Sequence, residues 1–152
     1  MSQKKSVRGC VAGLLFACAV VGTSSMTTQA DTVVATITVG SRSFAVAINP
    51  AGTFAYVVNQ GSDNISKINL ATDTVVATIA VGSTPAGLAI DPAGTFAYVT
   101  NAGSNTVSKI DPLTNTVTAT IPVGDSPNGL AADGTGVWVT NRDSDTVSRI
   151  SP

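Results

Sequence analysis

The 152-residue chain contains no histidine and no glutamate, and its two cysteines, Cys10 and Cys18, both lie within the first 30 residues. Aromatic residues make up 5% and charged residues 11%. Each scarcity excludes something. Acid–base catalysis near neutral pH most often uses histidine or a tuned glutamate, and nucleophilic triads need such a base. Metal sites built on His or Cys cannot form beyond residue 30. No disulfide framework can staple residues 31–152, so packing must hold them. These residues keep Arg42, Lys67, Lys109, Arg142 and Arg149 against nine aspartates, a net charge of −4. A mildly acidic surface offers no basic track for a phosphate backbone, which argues against nucleic acid as a partner.

The N-terminus is different. Lys4, Lys5 and Arg8 precede the apolar run from Gly9 to Gly22, and the polar stretch TSSMTTQA ends at Ala30. That order reads as a signal peptide over 1–30, cut between Ala30 and Asp31, and implies a periplasmic, cell-surface or extracellular protein. About 14 apolar residues are short for a transmembrane anchor. A lipid-attachment box at Cys18 is an alternative, although Phe16 is bulky for one.

Internal repetition dominates what remains. Thr32–Asp73 aligns with Thr74–Asn115 without a gap at 26 identical positions of 42, and Thr116–Pro152 continues the pattern with two residues missing near Asp133. The landmarks are TVVATITVG, TVVATIAVG and TVTATIPVG, then AYVVN, AYVTN and VWVTN, then NISKIN, TVSKID and TVSRIS. Each unit reads as four short strands. In Thr74–Val81, alternation puts Val75, Ala77, Ile79 and Val81 on one face. Asp91-Pro92-Ala93-Gly94 is a turn, and Ala86–Ile90, Phe96–Thr100 and Thr106–Asp111 are the other strands. No apolar spacing suits a helix.

Four antiparallel strands per 40–45 residues predict an all-β chain of three β-propeller blades in one domain, residues 31–152. AYVTN followed by SNTVSKID and TVTATIPVG resembles the YVTN-family propeller repeat of exported bacterial and archaeal proteins, some of them surface-layer proteins. The resemblance implies that the TVVATI strand is outermost in its blade, and Pro122 inside one such strand agrees with an edge. The family usually has an apolar residue where this chain has Lys67, Lys109 and Arg149; here these cations are expected to snorkel to solvent. Propeller lyases and lactonases place histidine or glutamate near the axis, so likeness to them is expected to stop at the fold.

Three blades leave Thr32–Val39 as a spare outer strand and the last blade without one. The expectation is half of a six-bladed ring, closed in a homodimer by strand exchange; a fragment of a larger propeller is the alternative. The expected function is an exported binding or scaffold module for a glycan, peptide or protein, not an enzyme. A hydrolase or lyase limited to Asp, Ser, Tyr and Lys is the alternative, and no cofactor is implied. The axial loops vary between units and supply candidate ligand contacts: Arg42, Ser43, Thr84, Asp125 and Asn128. Asp91, Asp111 and Asp133 read as turn residues, and Asn59, Asn101 and Asn141 as caps of the tight turn that follows each. Asn141, Asp143 and Asp145, at i, i+2, i+4, are a weak calcium alternative.

Overall fold

The computed structural model describes residues 31–151. The signal peptide, its cleavage site, the anchor question and Cys18 therefore lie outside or at the border of the described residues. Every strand falls in the contact unit that begins at Val33.

Eleven strands and no helix occur among the described residues. The first sheet holds β1 (Ser43–Ile48), β2 (Phe54–Asn59), β3 (Asn64–Asn69) and β4 (Thr74–Ala80), hydrogen-bonded in that order. The second holds β5 (Pro85–Ile90), β6 (Ala97–Asn101), β7 (Thr106–Asp111) and β8 (Thr116–Pro122), again in order. The third has β9 (Pro127–Ala132), β10 (Val137–Asn141) and β11 (Thr146–Ile150). All neighbours pair antiparallel. This is the blade arrangement of a partial β-propeller. As the resemblance implied, the two TVVATI-type strands that join a sheet, β4 and β8, are each the outer edge of the sheet before them, and Pro122 sits on such an edge, where a missing N–H costs no ladder bond.

Thr32–Val39, expected as a spare outer strand, joins no sheet, and Val33 and Val34 are exposed. A strand holds its conformation through a neighbour's N–H and C=O groups. One expectation for the strands fails: the alternation across Thr74–Val81 is broken. Ile68 pairs with Val75 but Lys67 pairs with Ala77, so a bulge inserts one extra residue, Val76. A bulge reverses facing on one side of it. Ile79 turns toward the second sheet, whereas Val75 faces the other way and stays partly exposed. The same bulge lies between Lys109 and Ile110 in the second sheet, separating Val117 from Ile121.

Each sheet thus has a leading face, toward lower residue numbers, and a trailing face. The trailing face of the first sheet (Tyr56, Val58, Ile65, Ile79) packs on the leading face of the second (Ala97, Val99, Ile110). Tyr98 and Val107, trailing in the second, pack with Val137 and Val139 of the third. Both interfaces bury β-branched and aromatic side chains, and this burial holds the blades together.

Polar bonds fix their register. Thr84 N donates to Asp63 Oδ1 (2.8 Å), and Ser126 N to Asn105 Oδ1 (2.9 Å), each bond spanning two sheets. Thr100 Oγ1 donates to the Asn128 carbonyl at 2.8 Å. Lys67 does not snorkel to solvent. It is buried, its Nζ lies 4.3 Å from the Phe54 ring centre, and it donates to the Pro112 carbonyl (2.7 Å) and Asn115 Oδ1 (3.1 Å) of the next sheet. The ring and the carbonyl compensate its lost hydration. Burial pulls its pKa down, opposed by the Asp111 carboxylate.

Candidate functional site

The connections β4–β5 and β8–β9, with the turns β2–β3, β6–β7 and β10–β11, share one rim. Arg42, Thr84 and Ser126 occupy equivalent positions there, one residue before an inner strand, and all have positive φ (51°, 50° and 51°). Asp63, Asn105 and Asp145 do the same in the tight turns. For a β-branched residue such as Thr84 this conformation is strained, and the Asp63 bond to its N–H helps hold it.

The rim gathers four of the five expected ligand residues, two of them engaged by a neighbouring sheet. Arg42 and Ser43 are exposed, and Arg42 is in no ion pair among the described residues. Thr84 is engaged by Asp63, and Asp125 Oδ1 accepts from Asn105 Nδ2 at 2.9 Å, so both belong to the staples between sheets. Asn128 lies within β9, where its carbonyl receives the Thr100 hydroxyl. Arg142 is held by Asp143 (2.9 Å) and donates to Ser126 Oγ (3.1 Å).

At the calcium alternative, Asn141 is buried, its Nδ2 donates to Thr146 Oγ1 (3.0 Å) and Ser148 Oγ (2.9 Å), its Oδ1 has no partner, and Asp143 accepts from Arg142 Nε. Among the described residues no cluster of three His, Cys, Asp or Glu could hold a metal. Asn59 and Asn101 make the same kind of cross-strand bonds, to Ser66 Oγ and Ser108 Oγ at 2.9 Å. They tie the second strand of the blade to the third, and their amides do not cap the turn as the sequence suggested.

The opposite rim holds an opening that the sequence did not flag. Asp91, Pro92, Ala93, Tyr98, Asp133, Gly134 and Val137 line a cavity of about 230 Å³ between the second and third sheets. Tyr98 is 1% exposed, and its hydroxyl is buried without a hydrogen-bond partner. Burial, and then the Asp91 charge, raise its pKa, so it remains a donor at neutral pH. Both aspartates also cap their own turns: Asp91 accepts from Thr95 N (2.7 Å), Asp133 from Thr135 N (2.7 Å) and Gly136 N (2.8 Å). The recurrence of Tyr56, Tyr98 and Trp138 was legible in the sequence, but only the packing shows which hydroxyl is left unpaired.

The Thr135 N–H, then its hydroxyl, hold the Asp133 carboxyl below its ordinary value. The Leu113 N–H does the same for Asp111. A carboxylate depressed in the folded state binds fewer protons there than in the unfolded chain. Its contribution is complete above the ordinary value of about 3.9 and is lost as pH falls through the depressed one. The melting temperature is therefore expected to fall below about pH 4, and less steeply in Asp133→Asn. An identical acid limb for this variant in a thermal melt series would remove Asp133 from the account.

The family model of "Lactonase, 7-bladed beta-propeller" matches residues 17–121. The chain belongs to this lactonase family. Among solved structures, a proposed 6-phosphogluconolactonase from Bacteroides fragilis is similar at 20% identity and TM-score 0.68, over 74% of this chain and 35% of that one. Another proposed 6-phosphogluconolactonase, from Bacteroides uniformis, matches at 18% and 0.62, over 70% and 35%. Hydrazine synthase from Kuenenia stuttgartiensis matches at 26% and 0.59, over 73% and 36%. No curated protein matches in sequence. The chain spans about a third of the length of each of these structures. Membership of the lactonase family overturns two expectations: that the chain is not an enzyme, and that its likeness to lactonases ends at the fold. Missing histidine and glutamate narrow the usable chemistry but do not decide family, which is carried by the repeated strand and turn pattern.

Proposed function

We propose that this protein is an exported, lactonase-type propeller that binds a small cyclic ester and opens it with water. The buried, unpartnered Tyr98 hydroxyl in the cavity between the second and third sheets carries the reading, because it offers a donor to an ester carbonyl. Family membership supplies the reaction class. Water adds to the carbonyl carbon, the ring C–O bond breaks, and the ring oxygen leaves with a proton. The Asp91 and Asp133 carboxylates flank the donor and are acceptors for substrate hydroxyls. Export rests on the basic and apolar leader over 1–30, and the YVTN-type repeat supports the same setting.

The test is a panel of sugar lactones followed by release of acid, with Tyr98→Phe and Arg42→Ala beside the parent protein. Tyr98→Phe is expected to lower turnover at least about tenfold while Arg42→Ala leaves it unchanged. Loss confined to Arg42→Ala would move the site to the other rim. No binding or turnover by any lactone would overturn the reading.

A further inference from the structure

Among the described residues, Lys67 is the only charged side chain in the buried interior, at 7% exposed, and it forms no ion pair there. Its two hydrogen bonds, to the Pro112 carbonyl and Asn115 Oδ1, leave the third N–H of the ammonium without an oxygen acceptor. The face of the Phe54 ring meets part of the remaining need. Taking a cation out of water is costly unless a counter-charge replaces the lost hydration. Both sheets that enclose Lys67 have four strands, so it lies inside a fully formed interface.

The repeat shows which groups could have neutralised it. Asn115 is equivalent to Asp73 of the unit before, and Asn49 to Asp91 and Asp133 of the units after. Around Lys67 both positions carry a neutral amide. The Asp111 carboxylate acts on Lys67 through its charge, but its Oδ1 accepts from Leu113 N (2.7 Å) in its own turn. Lys67 also lines a cavity of about 210 Å³ between the first and second sheets, on the same rim as the Tyr98 opening. Phe54, Ile90 and Ala97 give this cavity apolar walls, and Asn49 and Tyr56 border it. Asn49 Oδ1 accepts from Thr53 N and Phe54 N, both at 2.9 Å, and is committed to its turn. Burial raises the pKa of Tyr56, so its hydroxyl remains a donor at neutral pH.

We propose that this cavity binds a small monocarboxylate with an apolar tail, whose carboxylate accepts from Lys67 Nζ and the Tyr56 hydroxyl. The ligand supplies the counter-charge that the two asparagines withhold. One cation suits one negative charge, and a doubly charged phosphate would leave its second charge uncompensated between apolar walls. Size sets the tail. An apolar cavity of about 150 Å³ takes benzene, so a six-carbon ring or chain beside the carboxylate suits this one. The inference uses neither Tyr98 nor its cavity and is independent of the lactone reading.

Isothermal titration calorimetry of the protein is expected to show benzoate binding at least about tenfold tighter than benzyl alcohol, which keeps the ring without the charge. Asn115→Asp places a carboxylate beside Lys67. The fold accepts it, because the equivalent Asp73 already holds the same backbone, with φ of 52° against 57° at Asn115. This variant is expected to weaken benzoate at least about tenfold and leave benzyl alcohol unchanged. Lys67→Met, of similar length without the charge, is expected to lose the preference for benzoate; if it fails to fold by circular dichroism, Asn115→Asp decides alone. Tyr98→Phe is expected to bind benzoate as the parent does, and a loss there would move the carboxylate to the other cavity and overturn the proposal. So would no binding of benzoate, equal binding of the two probes, tighter binding of inorganic phosphate, or an Asn115→Asp variant that binds benzoate like the parent.

Discussion

Replacing Gly87 with alanine is expected to destabilise the protein by about 3 kcal/mol, read as a lower urea midpoint at unchanged m-value. Gly87 lies in β5, the inner strand of the second sheet, directly against β9 of the third. A Cβ built on it would stand 2.1 Å from the Asn128 carbonyl oxygen, 2.9 Å from a Leu130 methyl and 3.2 Å from Thr100 Oγ1. The first of these is backbone and cannot rotate away. The two sheets must separate, and the movement also strains the bonds from Gly87 N to Thr100 Oγ1 (2.7 Å) and from that hydroxyl to Asn128 O. Gly134 is the control. A Cβ there would meet no atom within 4 Å, and its φ is not positive, so Gly134→Ala should change stability by less than about 0.5 kcal/mol. Equal effects of the two substitutions would show that inner strands do not approach as closely as described.

Truncating Ile110 to alanine is the second large effect, about 3–4 kcal/mol. Ile110 is fully buried on β7, on the leading face of the second sheet, within the cluster that includes Tyr56, Val58, Ile65 and Ile79. Removing its outer methyl groups loses their transfer free energy and leaves a void. The pleated sheets on either side cannot collapse into that void without breaking ladder bonds. Leu113, 90% exposed in the following turn, is the matched control, and Leu113→Ala should cost less than about 0.5 kcal/mol. A loss below about 1 kcal/mol for Ile110→Ala would mean that the first and second sheets are not packed through this cluster.

The two substitutions separate what a repeat pattern contains from what it hides. Ala45, Gly87 and Gly129 are equivalent in sequence, yet only at Gly87 does a described carbonyl fill the space a Cβ would need. Likewise Lys67, Lys109 and Arg149 read as one recurring cation. Lys67 bonds the next sheet, Lys109 sits 3.9 Å from the Phe96 ring centre, and Arg149 stacks near the exposed Trp138. Environment differs because each position faces a different neighbour.

Of the candidate site, the rim was legible and its use was not. Loop variation pointed to Arg42, Ser43, Thr84 and Asp125, but the variation partly reflects which side chain staples two sheets, as Asp63 does for Thr84. The cavity at Tyr98 was hidden because its parts, Asp91 and Asp133, carry ordinary turn chemistry in sequence. They come together only when the β5–β6 and β9–β10 turns are brought side by side.

By itself the sequence determined the strands from Ser43 onward, their order and the three-fold repetition, while the outer position of the TVVATI strands was implied by the resemblance to the YVTN repeat. Period-two alternation and Asx–Pro–Gly turns are local chemistry that a single strand or turn already expresses. Tertiary structure alone decided the bulge at Val76, which sends Ile79 and Val75 to opposite faces, because a bulge is a property of two paired strands. It also decided that one tyrosine hydroxyl stays unpaired. Those outcomes depend on which backbone groups and side chains are within reach after packing, and no local pattern encodes reach.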